Sequence, residues 1–318
     1  MLGIIILNYN NTSDVLACVE SLTKYTDMTN VRIVVVDNGS KVALRDAVES
    51  SLLKLFDGSF ISLYDIPQQN LILPLMTYLK LPSNVGYARG NNAGFALLEK
   101  MRSIEYVMVL NSDILFTSDI ITSLLEKARS LPDIGALSPL LYKPDGEIDY
   151  CCARRSLSKK DMLVTFSYLF NKKYKSALEK RKILRESPEL INQDKIEIDL
   201  PSGSCMLFKK AVFEALGGFD EGTFLYYEED ILNKKIKKMG LKNVLIPSVS
   251  CIHVGGATTN NTKSAYFLKK CNYESLLYYL QKYESCTRLE LCYYKLSARI
   301  RLVRLYFGKI YHSRTFKK

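Results

Sequence analysis

Three short runs of apolar, largely β-branched residues constrain this chain more than any other feature: Ile4 to Leu7, Val31 to Val36 and Tyr106 to Leu110. Between the first two, Val15, Val19 and Leu22 recur at helical spacing, so the chain opens as strand, helix, strand. Runs without polar alternation are apolar on both faces and need cover on both, the condition of a parallel sheet whose strands are linked through helices. A further run, Ile134 to Leu141, continues the pattern. The fold class expected is α/β, with a mostly parallel central sheet flanked by helices.

The 318 residues, 47% hydrophobic and 24% charged, suit a soluble globular chain of one large domain or two modest ones. No run approaches the roughly 20 apolar residues of a membrane span. The apolar start passes at once into Asn8-Tyr9-Asn10 and reads as a first strand rather than a signal peptide. Eight cysteines lacking zinc-like CxxC pairs read as reduced thiols of a cytoplasmic protein.

Polar residues gather where these strands end, the edge at which open α/β sheets bind ligands. Asp37-Asn38-Gly39-Ser40 closes the second run, and Asp37 can accept a hydrogen bond from a base or ribose, although Asn-Gly also makes an ordinary turn. The stretch Asn84-Val85-Gly86-Tyr87-Ala88-Arg89-Gly90-Asn91-Asn92 leads into a helix, and its glycines, helix start and Arg89 favour an anion. Asn111-Ser112-Asp113 follows the Tyr106 run, where an acid is placed equally for a divalent cation or a strand-end turn. Later, Glu228, Glu229 and Asp230 stand behind Phe219, Phe224, Tyr226 and Tyr227 at the start of a helix carrying Ile231, Leu232 and Ile236 on one face. Capping and catalysis explain those acids equally well on this stretch alone.

The order of these pieces is more specific than any one of them. NVGYARGNNAGF, VLNSDI and GGFDEGTFLYYEED, following an Asp-Asn-Gly-Ser strand end, resemble the inverting family 2 glycosyltransferases of GT-A fold, in particular their rhamnosyltransferase-like branch. The resemblance covers about residues 3–280. It implies that Asn10, Asp37 and Ser40 line the base and ribose of a nucleotide. Asn84, Gly86 and Arg89 would meet the nucleotide or its diphosphate, Asn111 stands where many members have Asp, and Asp113 binds Mn²⁺ or Mg²⁺. His253, after the apolar run ending in Ile252, looks like the family's late histidine and would complete the metal or diphosphate site, although a lone strand-end histidine is more often structural. The acidic turn offers two registers. Aligned from Tyr226, the general base falls on Glu229; aligned as a Glu-Asp pair, it falls on Asp230, which is the choice made, with Glu229 as its neighbour.

Charge is unevenly placed along the chain. Residues 260–318 hold 13 Lys/Arg against 3 Asp/Glu, and residues 153–186 hold 11 against 3, while the chain's net charge is +11. The expected division is residues 1–258 as the GT-A domain, with a basic insertion at about 150–195, and residues 259–318 as a basic amphipathic helical extension. Met162, Leu163, Phe166, Leu169 and Phe170 in the insertion fall near helical spacing, beside Arg154-Arg155, Lys159-Lys160 and Lys172-Lys173. This segment reads as a helix on the body or as a flap near the acceptor. In the tail, Leu296, Ile300, Val303, Phe307 and Ile310 form an apolar stripe beside Lys295, Arg299, Arg301, Arg304 and Lys309, suited equally to docking on the body and to an anionic membrane surface.

The resemblance implies an inverting sugar transfer from a dTDP- or UDP-sugar, rhamnose from dTDP-rhamnose first, to a saccharide or lipid-linked saccharide in surface polysaccharide synthesis. The protein would be cytoplasmic and peripheral at the membrane. A catalytically silent nucleotide-binding protein of the same fold is the rival, and no nucleic acid is expected, since the tail carries no recognisable reading motif.

Overall fold

The computed structural model describes residues 1–68, 72–165, 171–255 and 265–315. In chain order the first half runs β1 (Leu2–Asn8), α1 (Thr12–Tyr25), β2 (Val31–Asp37), α2 (Val42–Leu55), β3 (Phe60–Leu63), β4 (Met76–Lys80), α3 (Tyr87–Glu99), β5 (Tyr106–Asn111), β6 (Ile114–Leu115), α4 (Ile120–Ser130) and β7 (Ile134–Tyr142). The insertion supplies β8 (Ala153–Arg154), α5 (Lys159–Thr165), α6 (Asn171–Lys180), α7 (Ile183–Glu186), β9 (Ile196–Ile198) and β10 (Leu200–Pro201). There follow β11 (Cys205–Lys209), α8 (Lys210–Ala215), α9 (Glu228–Lys238), β12 (Lys242–His253), α10 (Ala265–Lys282) and α11 (Arg288–Thr315).

Strands β3, β4, β2, β1 and β5 lie side by side and parallel; β11 joins antiparallel between β5 and β7, and β12 runs parallel to β7. Each apolar run splits its side chains between the two faces, as a period of two requires. Ile4, Ile6, Ile33, Val35, Met108 and Leu110 pack with Val15, Val19 and Leu22 of α1, Val48 and Leu52 of α2 and Leu124 of α4. Ile5, Val34, Val36, Val107 and Val109 pack on the other face with Phe95 and Leu98 of α3, Phe213 of α8 and Leu232 and Ile236 of α9. The α/β expectation therefore holds, and its cause is visible: these runs have no polar face to leave in water.

The register aligns strand ends. Asn8 pairs with Asp37 and Leu7 with Asn111, so β1, β2 and β5 end at one edge. The chain builds outward from β1 through β2 to β3, then crosses to the other side of β1 with β5, a reversal of the kind that opens a crevice at the carboxyl edge.

The basic tail docks through α10. Leu157, Met162 and Ile231 form a third core with Tyr273, Leu276, Tyr279 and Leu280 of α10 and Tyr294 and Ala298 of α11. Asp220 anchors the helix: its carboxylate accepts from Tyr278 Oη and Lys282 Nζ, both at 2.7 Å, from Tyr283 Oη, and from the Gly222 amide at 2.8 Å. Burial opposes the charge on Asp220, and the Lys282, Tyr283 and Tyr278 bonds outweigh it, holding the carboxyl well below the usual range. A group depressed in the folded state stabilises fully above its unfolded pKa of about 4 and loses that contribution as pH falls through the folded value. Acid should therefore raise hydrogen exchange in α10 before the central sheet, while Asp220→Asn should leave α10 labile already at neutral pH. Equal protection of α10 in parent and variant at neutral pH would contradict this anchor.

Of the apolar residues expected to form a helix in the insertion, Met162 is buried within α5; Phe166, Leu169 and Phe170 lie outside the described residues, as do the side chains of Leu163, Lys172, Lys173, Phe307, Lys309 and Ile310. All eight cysteines are free thiols, and five of them are buried.

Candidate active site

Two adjoining cavities open along the carboxyl edge. The first, about 270 Å³, is bounded by Leu7 and Tyr9 after β1, Asn38 after β2, Asn84 and Gly86 before α3, Asn111 to Asp113 after β5, and His253. The second, about 170 Å³, contains Ser202, Gly203, Tyr226, Glu228 and Glu229. Tyr87, Asn111, Ser204 and Leu225 line both, so the two are halves of one crevice.

The floor of the first cavity is set by backbone constraints. Asn38 donates from Nδ2 to the Gly86 carbonyl at 3.0 Å and accepts at Oδ1 from the Val85 amide at 3.0 Å, tying the end of β2 to the start of α3. Gly86 holds φ at 92°, and a Cβ there would meet the Phe224 carbonyl oxygen at 2.4 Å, so only glycine fits. The start of α3 thus faces the cavity, where a helix N-terminus favours an anion.

Asp113 and His253, far apart in sequence, meet because β6 pairs antiparallel with the end of β12, Ile114 opposite His253. His253 Nε2 lies 3.6 Å from Asp113 Oδ2 and 3.1 Å from Ser204 Oγ, and Nδ1 lies 2.9 Å from Asp149 Oδ2. Burial raises the Asp113 carboxyl above the usual range, against the pull of His253. For His253, burial disfavours the charged ring, yet the Asp149 bond and the Asp113 charge outweigh it and lift the ring above the ordinary histidine value. Asp113 Oδ1 is buried without a hydrogen-bond partner, and a carboxylate oxygen beside an imidazole whose far nitrogen rests on a second carboxylate fits a divalent cation. Among the described residues no group of three or more His, Cys, Asp or Glu is arranged to hold a metal ion, and Asp149 meets His253 only at the far nitrogen.

The three acids of α9 diverge. Glu229 lines the second cavity; its Oε1 accepts from the Gly203 amide at 3.1 Å and lies 3.4 Å from Arg154 Nη2, while Oε2 makes no hydrogen bond with a described residue. Tyr87 Oη donates to the Gly203 carbonyl at 2.6 Å, so one residue, Gly203, is clamped between the start of α3 and the start of α9. Glu228 is buried against Thr223 Oγ1 at 3.3 Å, and burial, with the Glu229 charge behind it, pushes its pKa up to about 8. Asp230 turns away from the crevice to Arg181 Nη2 at 3.3 Å, with burial raising its carboxyl despite Arg181 and Arg154.

The approach to these acids is strained. Tyr226 and Tyr227 both take positive φ, 75° and 70°, an uncommon state for aromatic residues. The tail holds them there: Tyr227 packs on Tyr279 with ring centroids 5.6 Å apart, and Ser275 Oγ donates to the Leu225 carbonyl at 2.9 Å.

Several expected site residues stand elsewhere than the sequence suggested. Asp230, chosen as base, does not line the crevice, because one residue along a helix turns a side chain by about 100° and here turns it to Arg181. Arg89 is exposed on α3, 3.7 Å from Glu221, since its neighbours Ala88 and Gly90 face the sheet. Asn10, Asp37 and Ser40 knit the ends of β1 and β2 together and do not line either cavity. Ser40 Oγ accepts from the Asn10 amide at 2.8 Å, and Asp37 Oδ1 from the Ser40 amide at 3.0 Å. Asn84, Gly86, Asn111, Asp113, His253 and Glu229 do line the crevice. The sequence reading missed Asn38, Tyr87, Ser204, Asp149 and Arg154. Of these, Asn38 and Tyr87 lay inside motifs already singled out, and Arg154 lay in the basic insertion without a role.

The family model "Glycosyl transferase family 2" matches residues 3–217. An N-acetylglucosaminyl-diphospho-decaprenol L-rhamnosyltransferase of Mycobacterium tuberculosis is 28% identical over 202 residues, covering 61% of this chain and 63% of the relative. Rhamnosyltransferase WbbL of Escherichia coli is 29% identical over 174 residues, 53% of this chain and 60% of the relative. The chain thus spans less than two thirds of the length of these relatives. Among solved structures, the mannosyltransferase PcManGT of Pyrobaculum calidifontis in complex with GDP-Man and Mn²⁺ is similar over 99% of this chain and 82% of its own, with TM-score 0.54 and 15% identity. GalNAc-T7 with UDP, GalNAc and Mn²⁺ is similar over 80% of this chain and 43% of its own, with TM-score 0.54 and 16% identity. These likenesses establish a GT-A fold.

Proposed function

We propose, because this chain belongs to glycosyl transferase family 2, that it transfers a sugar, rhamnose from dTDP-rhamnose in the first instance, from a nucleotide diphosphate donor to a lipid-linked saccharide with inversion at the anomeric carbon. The observation that carries the reading is the shared crevice: Asp113 and His253 bound one half and Glu229 the other, with four residues common to both. The names of the relatives, rhamnosyltransferases whose mycobacterial member is described by a diphospho-decaprenol substrate, support the transferred sugar and the acceptor class.

In this mechanism the nucleotide lies along the ends of β1 and β2, near Tyr9, Asn38 and Asn84, with its diphosphate toward the start of α3. Asp113 and His253 would hold Mn²⁺ or Mg²⁺, with Asp149 fixing the imidazole. Such an ion, when bound, supplies positive charge to a leaving diphosphate. Glu229 takes the proton of the acceptor hydroxyl as that oxygen bonds to the anomeric carbon and the bond to the diphosphate oxygen breaks. The Gly203 amide and Arg154 hold one Glu229 oxygen in place and leave the other without a hydrogen bond to a described residue. Glu228, with its pKa near 8, is the neutral neighbour that spares Glu229 a second adjacent charge at neutral pH.

The family match ends at residue 217, ahead of the acidic turn, so Glu229 as base rests on its position in the crevice. Among the described residues no helix is long and apolar enough to cross a membrane. We place the enzyme at the cytoplasmic face of the membrane, where a lipid-linked acceptor would present its saccharide. A thermal-shift screen of dTDP- and UDP-sugars with and without Mn²⁺ tests the donor half of this reading. The expected outcome is a melting temperature raised most by dTDP-rhamnose with Mn²⁺, and no shift with any nucleotide sugar would refute it.

A further inference from the structure

Helix α11 has two apolar faces, and the fold uses one. Tyr294, Ser297 and Ala298 are buried against α10 and the body. Around the helix from them, Leu289, Tyr293, Leu296, Ile300 and Val303 recur at alternating steps of four and three and stay exposed, Leu289 at 83%, Leu296 at 60% and Val303 at 53%. A row of five large side chains in water along one helix face is the kind of surface that marks an interaction site.

The charges beside the row decide what covers it. Over Arg288 to Thr315 there are seven Lys/Arg and one acid, Glu290, which Lys159 holds at 2.8 Å. Lys295 and Arg299 are exposed to one side of the row. Alternating steps of four and three also suit a coiled coil with a second copy, in which the flanking positions face each other across the seam. Here a pair would bring two strongly basic helices together, and Glu290, the one acid of each, is already held by Lys159. An anionic surface with an apolar interior answers both the row and the charges beside it.

We propose that the exposed row Leu289, Tyr293, Leu296, Ile300 and Val303 lies in the surface of an anionic bilayer, with Lys295 and Arg299 at the headgroups. This deepens the reading of a lipid-linked acceptor: α10 and the inner face of α11 brace the strained loop before Glu229, and the outer face holds the same unit against the lipid. Its test needs neither donor nor acceptor.

Sedimentation of the full chain with phosphatidylglycerol-containing vesicles and with pure phosphatidylcholine vesicles measures it, beside a Leu296→Asp/Ile300→Asp variant. Both substituted side chains are exposed, so the variant should keep its helical content and its nucleotide-sugar thermal shift. The parent should bind anionic vesicles in preference to neutral ones and more weakly as salt rises. The variant should partition at least about tenfold less, from the loss of two apolar contacts and the gain of two negative charges. Equal binding by parent and variant, or no binding by the parent, would overturn the proposal. So would a parent that is dimeric in solution when the variant is monomeric, since a second copy would then be the occupant.

Discussion

Replacing Glu229 by Gln is expected to lower kcat by about 10²–10⁴-fold, the range that a positioned general base contributes, while leaving the donor-induced thermal shift intact. The substitution keeps shape, and the amide oxygen still accepts from the Gly203 N–H, so what is lost is the proton acceptor facing the acceptor hydroxyl. Asp230→Asn should behave differently. It strips the partner from the largely buried Arg181, and leaving such a charge uncompensated costs about 3 kcal/mol or somewhat more. The variant should melt earlier yet turn over within a few-fold of the parent at temperatures where it is folded. A larger loss of kcat in Asp230→Asn than in Glu229→Gln, without a change in melting, would return the base to Asp230.

The second large effect concerns Asp113. Asp113→Ala removes the only carboxylate oxygen in the first cavity that is buried without a partner among the described residues. The Mn²⁺-dependent part of the nucleotide-sugar thermal shift should vanish, as chelation of the metal should make it vanish in the parent. Asp149→Asn, which touches the crevice only through His253 Nδ1, should weaken Mn²⁺ binding by about 10–100-fold, the usual cost of removing a carboxylate behind a ligating histidine. Calorimetric titration of Mn²⁺ in the presence of nucleotide diphosphate separates the two. Unchanged Mn²⁺ affinity in Asp113→Ala would remove the metal from this site.

How far the sequence foretold this arrangement differs by element. The parallel sheet was legible because Ile4 to Leu7 and Val31 to Val36 bury both faces, and local composition says so directly. The place of Asn84, Gly86 and Asp113 along the crevice was legible because each lies at a strand end or helix start on the carboxyl edge. The choice between Glu229 and Asp230 was not, since both sit in the first turn of α9 and either register satisfies the periodicity of Ile231, Leu232 and Ile236. What separates them is Arg181, brought in by a basic insertion read from sequence as a helix on the body or a flap near the acceptor. Arg154 likewise turns inward to Glu229 rather than outward. Arg89 had the right charge for a diphosphate, yet its neighbours claim the inner face of α3. Asp149 has no local signature at all, because its role exists only once β6 and β12 bring His253 beside Asp113. The tail, read as able to dock or to meet a membrane, docks through α10 and the inner face of α11.

The most direct measurement is transfer itself. The full chain, Mn²⁺ and dTDP-rhamnose would be supplied with a polyprenyl-diphosphate-linked saccharide, and the new linkage examined by nuclear magnetic resonance. The expected result is stoichiometric release of nucleoside diphosphate and one glycosidic bond whose anomeric configuration is inverted relative to the donor. A donor that binds with metal but is never transferred across a broad panel of donors and acceptors, or a product with retained configuration, would contradict it.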